Sequence, residues 1–287
     1  MQPQHPRRRV AALRALIVVV GCLAGLIVAP TAAASGNGPI KEWFAGAFQS
    51  FIGHGVRANL TQHALANVSP TESPLAAASF TVITASSPNA LYSIAVGWGS
   101  DPGFFGWPDN QPRLYVGTFN ATSGGRCDNT GSGHTCGWVQ VAATPQPGSA
   151  LAATNTPQAY EITHFTGLDG GRWWVKYQDT WIGYFPAASL NPYFTNFGQA
   201  AWKGMVITSL NMDPPCADMG SGFYGTSDGA AQITGMEVLD RDGVWHAATP
   251  TLTAPDPQYY GVKQLTWNGF PRNAIAYGGP GSIFGSC

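Results

Sequence analysis

From residue 77 onward, hydrophobic and polar positions alternate in short runs, and clusters of Gly, Pro, Asn, Asp and Ser separate the runs. Segments 80–85, 91–98, 113–119, 137–143, 159–165 and 172–177 are of this kind, followed by 205–210, 232–239, 243–247 and 260–267. Period-two alternation in segments rich in aromatic and β-branched residues predicts half-buried strands. Asp240-Arg241-Asp242-Gly243 reads as a hairpin turn ending in Asp-Gly. The densest aromatic run, 171–206, places Trp173-Trp174, Trp181-Ile182-Gly183-Tyr184-Phe185 and Trp202-Lys203-Gly204-Met205-Val206 on successive strands. One stretch departs from the pattern. Ile40, Trp43, Phe44, Ala47, Phe48, Phe51 and Ile52 recur at the spacing of one helical face, with Asn37 as a cap, Pro39 in the first turn and Gly53 as a stop. The expected layout is an amphipathic helix over 40–52, a linker over 57–76, and an antiparallel twisted β-sandwich over 77–287. The helix either docks on the sandwich or belongs to a short pro-segment, 35–76, lying over a groove.

The first 34 residues are of another kind. Arg7, Arg8, Arg9 and Arg14 precede an apolar run over 16–28, and Ala32-Ala33-Ala34 offers small residues for cleavage. This is the layout of a secretory signal peptide, with an apolar run too short for a membrane span. Secretion is therefore the expected localisation. Cys22, in Val19-Val20-Gly21-Cys22, offers a lipid-anchored alternative, although the apolar run continues past it. Four of the fourteen basic residues precede Ser35 and all fifteen acidic ones follow it, so the exported chain carries ten positive against fifteen negative side chains. That balance, without a basic patch, excludes a nucleic-acid partner. Charged residues make up 10% of the chain, against about a quarter in ordinary domains. Turn-forming and small polar residues carry the surface instead, as in exported all-β proteins. Export leaves four cysteines, and an even count implies two disulfides. Three pairings exist. Cys127 and Cys136 bracket a loop rich in Gly, Ser and Asn, which favours Cys127–Cys136 and leaves Cys216–Cys287.

The local chemical motifs are weak. Gly225-Thr226-Ser227-Asp228-Gly229 spells GxSxG, but that elbow needs a strand-to-helix turn in an α/β sheet. The histidines show no metal-ligand spacing and no cofactor motif occurs. A set of segments in order is more specific: Ile94-Ala95-Val96-Gly97-Trp98, Arg113-Leu114-Tyr115, the cysteine-bracketed loop ending Cys136-Gly137-Trp138-Val139, Trp173-Trp174, 182–186 reading IGYFP, 202–206 reading WKGMV, Met219-Gly220-Ser221-Gly222, and Tyr277-Gly278-Gly279-Pro280-Gly281 near a terminal cysteine. In this order, over roughly 78–287, they resemble the neprosin family of secreted glutamic peptidases.

The resemblance implies an acid-preferring endopeptidase that cuts after proline, with two glutamates facing each other across the groove of a twisted sandwich. Two close carboxylates cannot both ionise cheaply, so one serves as acid and the other as base toward water. Here the family's IExGW glutamate falls on Ala95 and its WGGEV glutamate on Met205. Neither side chain can exchange a proton. The expectation is a secreted neprosin-like protein without peptidase chemistry, binding a proline-rich peptide or an extracellular polymer in the groove. Asp101 and Asp218 are the fallback carboxylates for an active alternative. Trp98, Trp202 and Tyr277 are candidate groove residues, and exposed aromatics raise a carbohydrate-binding alternative.

Overall fold

The computed structural model describes residues 40–68, 72–84, 87–100, 107, 109–120, 125–128, 137–167, 171–190, 197–209, 213–266 and 273–282. Its strands are β1 (Ile40–Gln62), β2 (Glu72–Thr84), β3 (Ser87–Gly99), β4 (Arg113–Asn120), β5 (Gly125–Asp128), β6 (Val139–Gln140), β7 (Thr154–Phe165), β8 (Arg172–Tyr177), β9 (Thr180–Pro186), β10 (Phe197–Ser209), β11 (Ala231–Asp240), β12 (Trp245–Ala247), β13 (Thr251–Thr253), β14 (Gly261–Gln264) and β15 (Ile275–Gly278). All pair antiparallel. One leaf runs β5-β4-β3-β2-β10-β1, the other β1-β7-β8-β9-β6, and β11 joins β1 to β12 and β15. The leaves are continuous through β1 and pack face to face, so the all-β antiparallel sandwich expected from the alternation is the fold.

The helix expected over 40–52 is instead the first half of β1, and the linker expected over 57–76 holds the end of β1 and, from Glu72, the start of β2. The reason is burial on both sides. Trp43, Ala45 and Ala47 face the core between the leaves, while Phe44 packs into a separate cluster on the opposite face. A central strand covered on both faces loses its period-two signature, and its apolar residues then fall by chance at helical spacing. Only pairing partners distant in sequence decide the matter. β1 pairs with β10 from Ile40 to Ile52 and with β11 and β7 from Gly53 or Gly55 onward. The change of leaf occurs at Gly53-His54-Gly55, where the register with β11 shifts by one residue. A Cβ at Gly53 would run into the carbonyl oxygen of Leu239, and one at Gly55 would press on that of Ile162. The corner therefore demands glycine on both sides of His54.

Trp43, Trp98, Trp173 and Trp202 are the largest side chains fully buried between the leaves. Each such burial contributes roughly 2–3 kcal/mol. The Trp98 indole N–H donates to the Thr61 carbonyl at 2.8 Å and that of Trp202 to the Arg57 carbonyl at 3.1 Å. Both bonds cross from the first leaf to the second half of β1. Cys216 is disulfide-bonded; Cys136 and Cys287 lie outside the described residues, as does the signal-like segment.

Candidate functional site

Alternation along the first leaf sends one set of side chains into the core and the other to the outer face. On that outer face Leu75, Ala77, Ala95, Tyr115, Met205 and Ile207 form a second apolar cluster, with Phe44 packed against it. The registers show how it is built. Phe44, Met205, Leu75 and Gly99 lie in one row across β1, β10, β2 and β3. The next row holds Gly46, Lys203, Ala77, Gly97 and Tyr115. The row after that holds Phe48, Ala201, Ser79, Ala95 and Gly117. Ala95 and Met205, more than a hundred residues apart in sequence, thus share one face and one cluster. The floor is paved with small residues for a steric reason. A Cβ at Gly97 would strike the Ala76 carbonyl, and one at Gly46 would overlap Lys203.

One carboxylate on this face escapes the sequence reading. Glu42 forms an ion pair with Lys203, whose ammonium lies 5.3 Å from the centre of the Phe44 ring. Glu42 pairs in register with Ile207 and Lys203 with Gly46. Their contact therefore spans the row of Phe44 and Met205 that lies between them. No motif flags Glu42, because β1 precedes every segment that carries the family resemblance.

The other sequence-derived candidates go elsewhere. Trp98, Trp202 and Tyr277, the groove candidates of the sequence, are at most 1% exposed and belong to the inter-leaf core. Tyr277 explains three of the glycine motifs at once. Its ring packs where a Cβ of Gly204 would stand, and Gly220 and Gly278 adopt positive φ around it. Burial pushes the Tyr277 hydroxyl far above the ordinary phenol range.

Asp218 is buried and accepts the backbone N–H of Asn67 at 3.0 Å and the Asn67 side-chain amide at 3.3 Å. It locks the chain between β1 and β2 and is not a member of the outer-face cluster. Glu72 is buried nearby, with Oε1 accepting the Cys216 N–H at 2.7 Å while Oε2 has no hydrogen-bond partner. Burial raises its pKa, against the lowering effect of the Cys216 and Ala217 N–H groups. Asp101 lies outside the described residues. Ser227 occupies a turn in the connection between β10 and β11, and His246 bonds Asp240 at 2.6 Å rather than a serine. Among the described residues no three His, Cys, Asp or Glu side chains gather to hold a metal ion.

The described residues of the outer-face cluster include no carboxylate, and the Glu42–Lys203 ion pair stands beside it. Its buried apolar side chains are each at most 9% exposed. A family model described as Neprosin matches residues 75–280. No curated protein matches the sequence. Among solved structures, scytalido-glutamic peptidase with a peptide-based transition-state analogue is similar at 11% identity and a TM-score of 0.38, covering 84% of this chain and 99% of that one. SCP-B, described as a member of the eqolisin family of peptidases in complex with the tripeptide Ala-Ile-His, is similar at 11% identity and a TM-score of 0.40, with the same coverages.

Proposed function

The chain belongs to the neprosin family, and from that premise we propose that it is a secreted member without peptidase chemistry, which binds a proline-rich peptide or another extended polymer along the outer face of its first leaf. One observation carries this reading. The two positions that match the family's glutamates, Ala95 and Met205, belong to a single apolar cluster with Leu75, Ala77 and Tyr115. The family's acid–base pair needs two carboxyl groups within reach of one water, and neither Ala95 nor Met205 carries one. What remains is suited to a peptide in extended or polyproline form, which docks on flat apolar and aromatic surfaces.

The test is digestion of a proline-rich substrate by the purified protein at pH 3–6, read by mass spectrometry, beside a binding measurement with the same substrate. The expected result is an intact substrate that binds, with binding weakened in Phe44→Ala and Tyr115→Ala. Clean cuts after proline that disappear in Glu42→Gln would overturn the reading and move the chemistry to the carboxylate of β1.

A second reading rests on the far leaf. Trp174 lies 4.9 Å from Tyr184 and 5.9 Å from Trp181, ring centre to ring centre. Phe165, 44% exposed, joins Trp181 at 5.6 Å, and Arg172 and Lys176 stand over Tyr184 and Trp181. Aromatic surfaces of this kind stack on sugar rings as well as on proline. Retention on an insoluble polysaccharide that is lost in Trp174→Ala and kept in Phe44→Ala would favour a carbohydrate-binding protein.

A further inference from the structure

His54 and His164 are two imidazoles that the outer-face cluster does not use. His54 sits at the bulge where β1 leaves the first leaf for the second, flanked by the two glycines that the corner requires. His164 reaches it from β7, with ring centres 5.7 Å apart and planes tilted by 36°. Trp173 of β8 stacks on His164 at 4.6 Å and 14°. Nδ1 of His54 and both ring nitrogens of His164 are closed off from solvent, and none has a hydrogen-bond partner. A buried polar group left unpaired is a cost that calls for an explanation.

Among the described residues no carboxylate faces the pair. Alternation on β7 and β8 puts Glu161 and Lys176 on the face opposite to His164 and Trp173, and Glu161 accepts the Thr163 hydroxyl there. On β11, Glu237 is paired with Arg57. Asp240, opposite Gly53, turns its carboxylate to His246 and to the N–H groups of Asp242 and Val244. Among the described residues, the titratable neighbour that acts on His164 is His54.

We propose that the His54–His164 contact is an acid-sensitive joint between the two leaves, closed while the buried His164 ring is neutral and loosened when that ring gains a proton. Burial first, and the nearness of His54 second, hold His164 down to about 4 from its ordinary 6.5. The unfolded or opened chain thus takes up a proton near 6.5 that the closed corner refuses until about 4. Between those limits the open form binds more protons, so the closed corner loses stability as pH falls through that window and gains it back as pH rises. Because Phe44 and Glu42 lie on the same strand, loosening at residue 54 reaches the wall of the proposed binding face. The inference stands whether or not that face is catalytic.

The experiment is an NMR titration of the imidazole ring protons of the purified protein, with amide hydrogen exchange at pH 7 and pH 4.5 corrected for intrinsic rates. His164 is expected to titrate well below 6.5. Protection of the amides at 55–57 and 161–165 is expected to fall on the order of tenfold or more at the lower pH, while the β8–β9 hairpin keeps its own. Replacing the neighbour, in His54→Gln, is expected to raise the His164 midpoint, and His164→Phe to abolish the pH dependence at the corner. A His164 midpoint at or above 6.5, or corner protection that does not change with pH, overturns the proposal. Should a variant fail to fold, the wild-type titration and exchange decide it alone.

Discussion

Met205 and Ala95 are the positions at which the proposed loss of peptidase chemistry can be tested one side chain at a time. Restoring carboxylates at both positions tests whether the rest of the floor still supports catalysis. Ala95→Glu or Met205→Glu alone is expected to cleave nothing, because an acid without its base loses nearly the whole rate enhancement. The double variant is expected to show weak cleavage after proline. Lys203 limits it, since its ammonium lies beside the row of Met205 and favours the ionised form of a new Glu there. Adding Lys203→Gly should raise the rate, and an equal rate with and without Lys203 would remove this electrostatic account. Glu72 gives a second test at this scale. Its folded pKa is raised above its ordinary value of 4.5, so the unfolded chain releases the proton first as pH rises. Stability contributed by the protonated form is therefore present at low pH and is lost as pH climbs through the folded pKa. Glu72→Gln keeps the acceptor for the Cys216 N–H and removes the buried charge. It should leave stability at pH 7 unchanged or higher, whereas Glu72→Ala should cost about 1–3 kcal/mol by orphaning that N–H. Denaturant titrations at pH 4 and pH 7 would show it.

Among the elements, β1 is the one whose role the family match leaves out, since the match begins at residue 75. β1 pairs with β10 and β13 in one leaf and with β7 and β11 in the other. Removing it would open a row of backbone donors and acceptors in the middle of both leaves and expose Trp98, Trp173 and Trp202. A chain beginning at residue 77 is therefore expected not to fold, as judged by the loss of near-ultraviolet dichroism and of cooperative thermal unfolding. A soluble, cooperatively melting truncation would show that β10 and β7 can close on each other without it. The error of reading β1 as a helix and linker has a clear cause. Its first half is apolar on both faces, and its second half owes its strand state to β7 and β11, which lie about a hundred residues or more downstream.

At the scale of the molecule, the two leaves are tied by the core tryptophans, by β1 and by the region around Cys216. Cys216 is bonded and next to the buried Glu72. With Cys127 and Cys136 bracketing their own loop, the expected partner of Cys216 is Cys287. That bond would close a loop of about 70 residues and contribute about 4 kcal/mol by the chain-entropy relation. Peptide mapping without reduction should recover a 216–287 linkage. Recovery of Cys136 joined to Cys216 would show that the cysteine-bracketed loop is instead tied to the domain body. Reduction should lower the thermal midpoint by several degrees if the loop is the long one.

The sequence by itself determined the fold class, because period-two alternation and turn residues are local signals. The strands expected over 172–177 and 232–239 lie where β8 and β11 form. It also determined the family, through short segments kept in order, and with it the two positions to inspect. Only the tertiary structure decided that Ala95 and Met205 share one apolar cluster, that Trp98, Trp202 and Tyr277 face the core instead, and that Glu42 joins Lys203 beside Met205. It likewise decided that two histidines meet at a corner. Each of these outcomes depends on which face of a strand meets which neighbour. Register sets that relation between segments far apart in sequence, and a shift of one residue would reverse it.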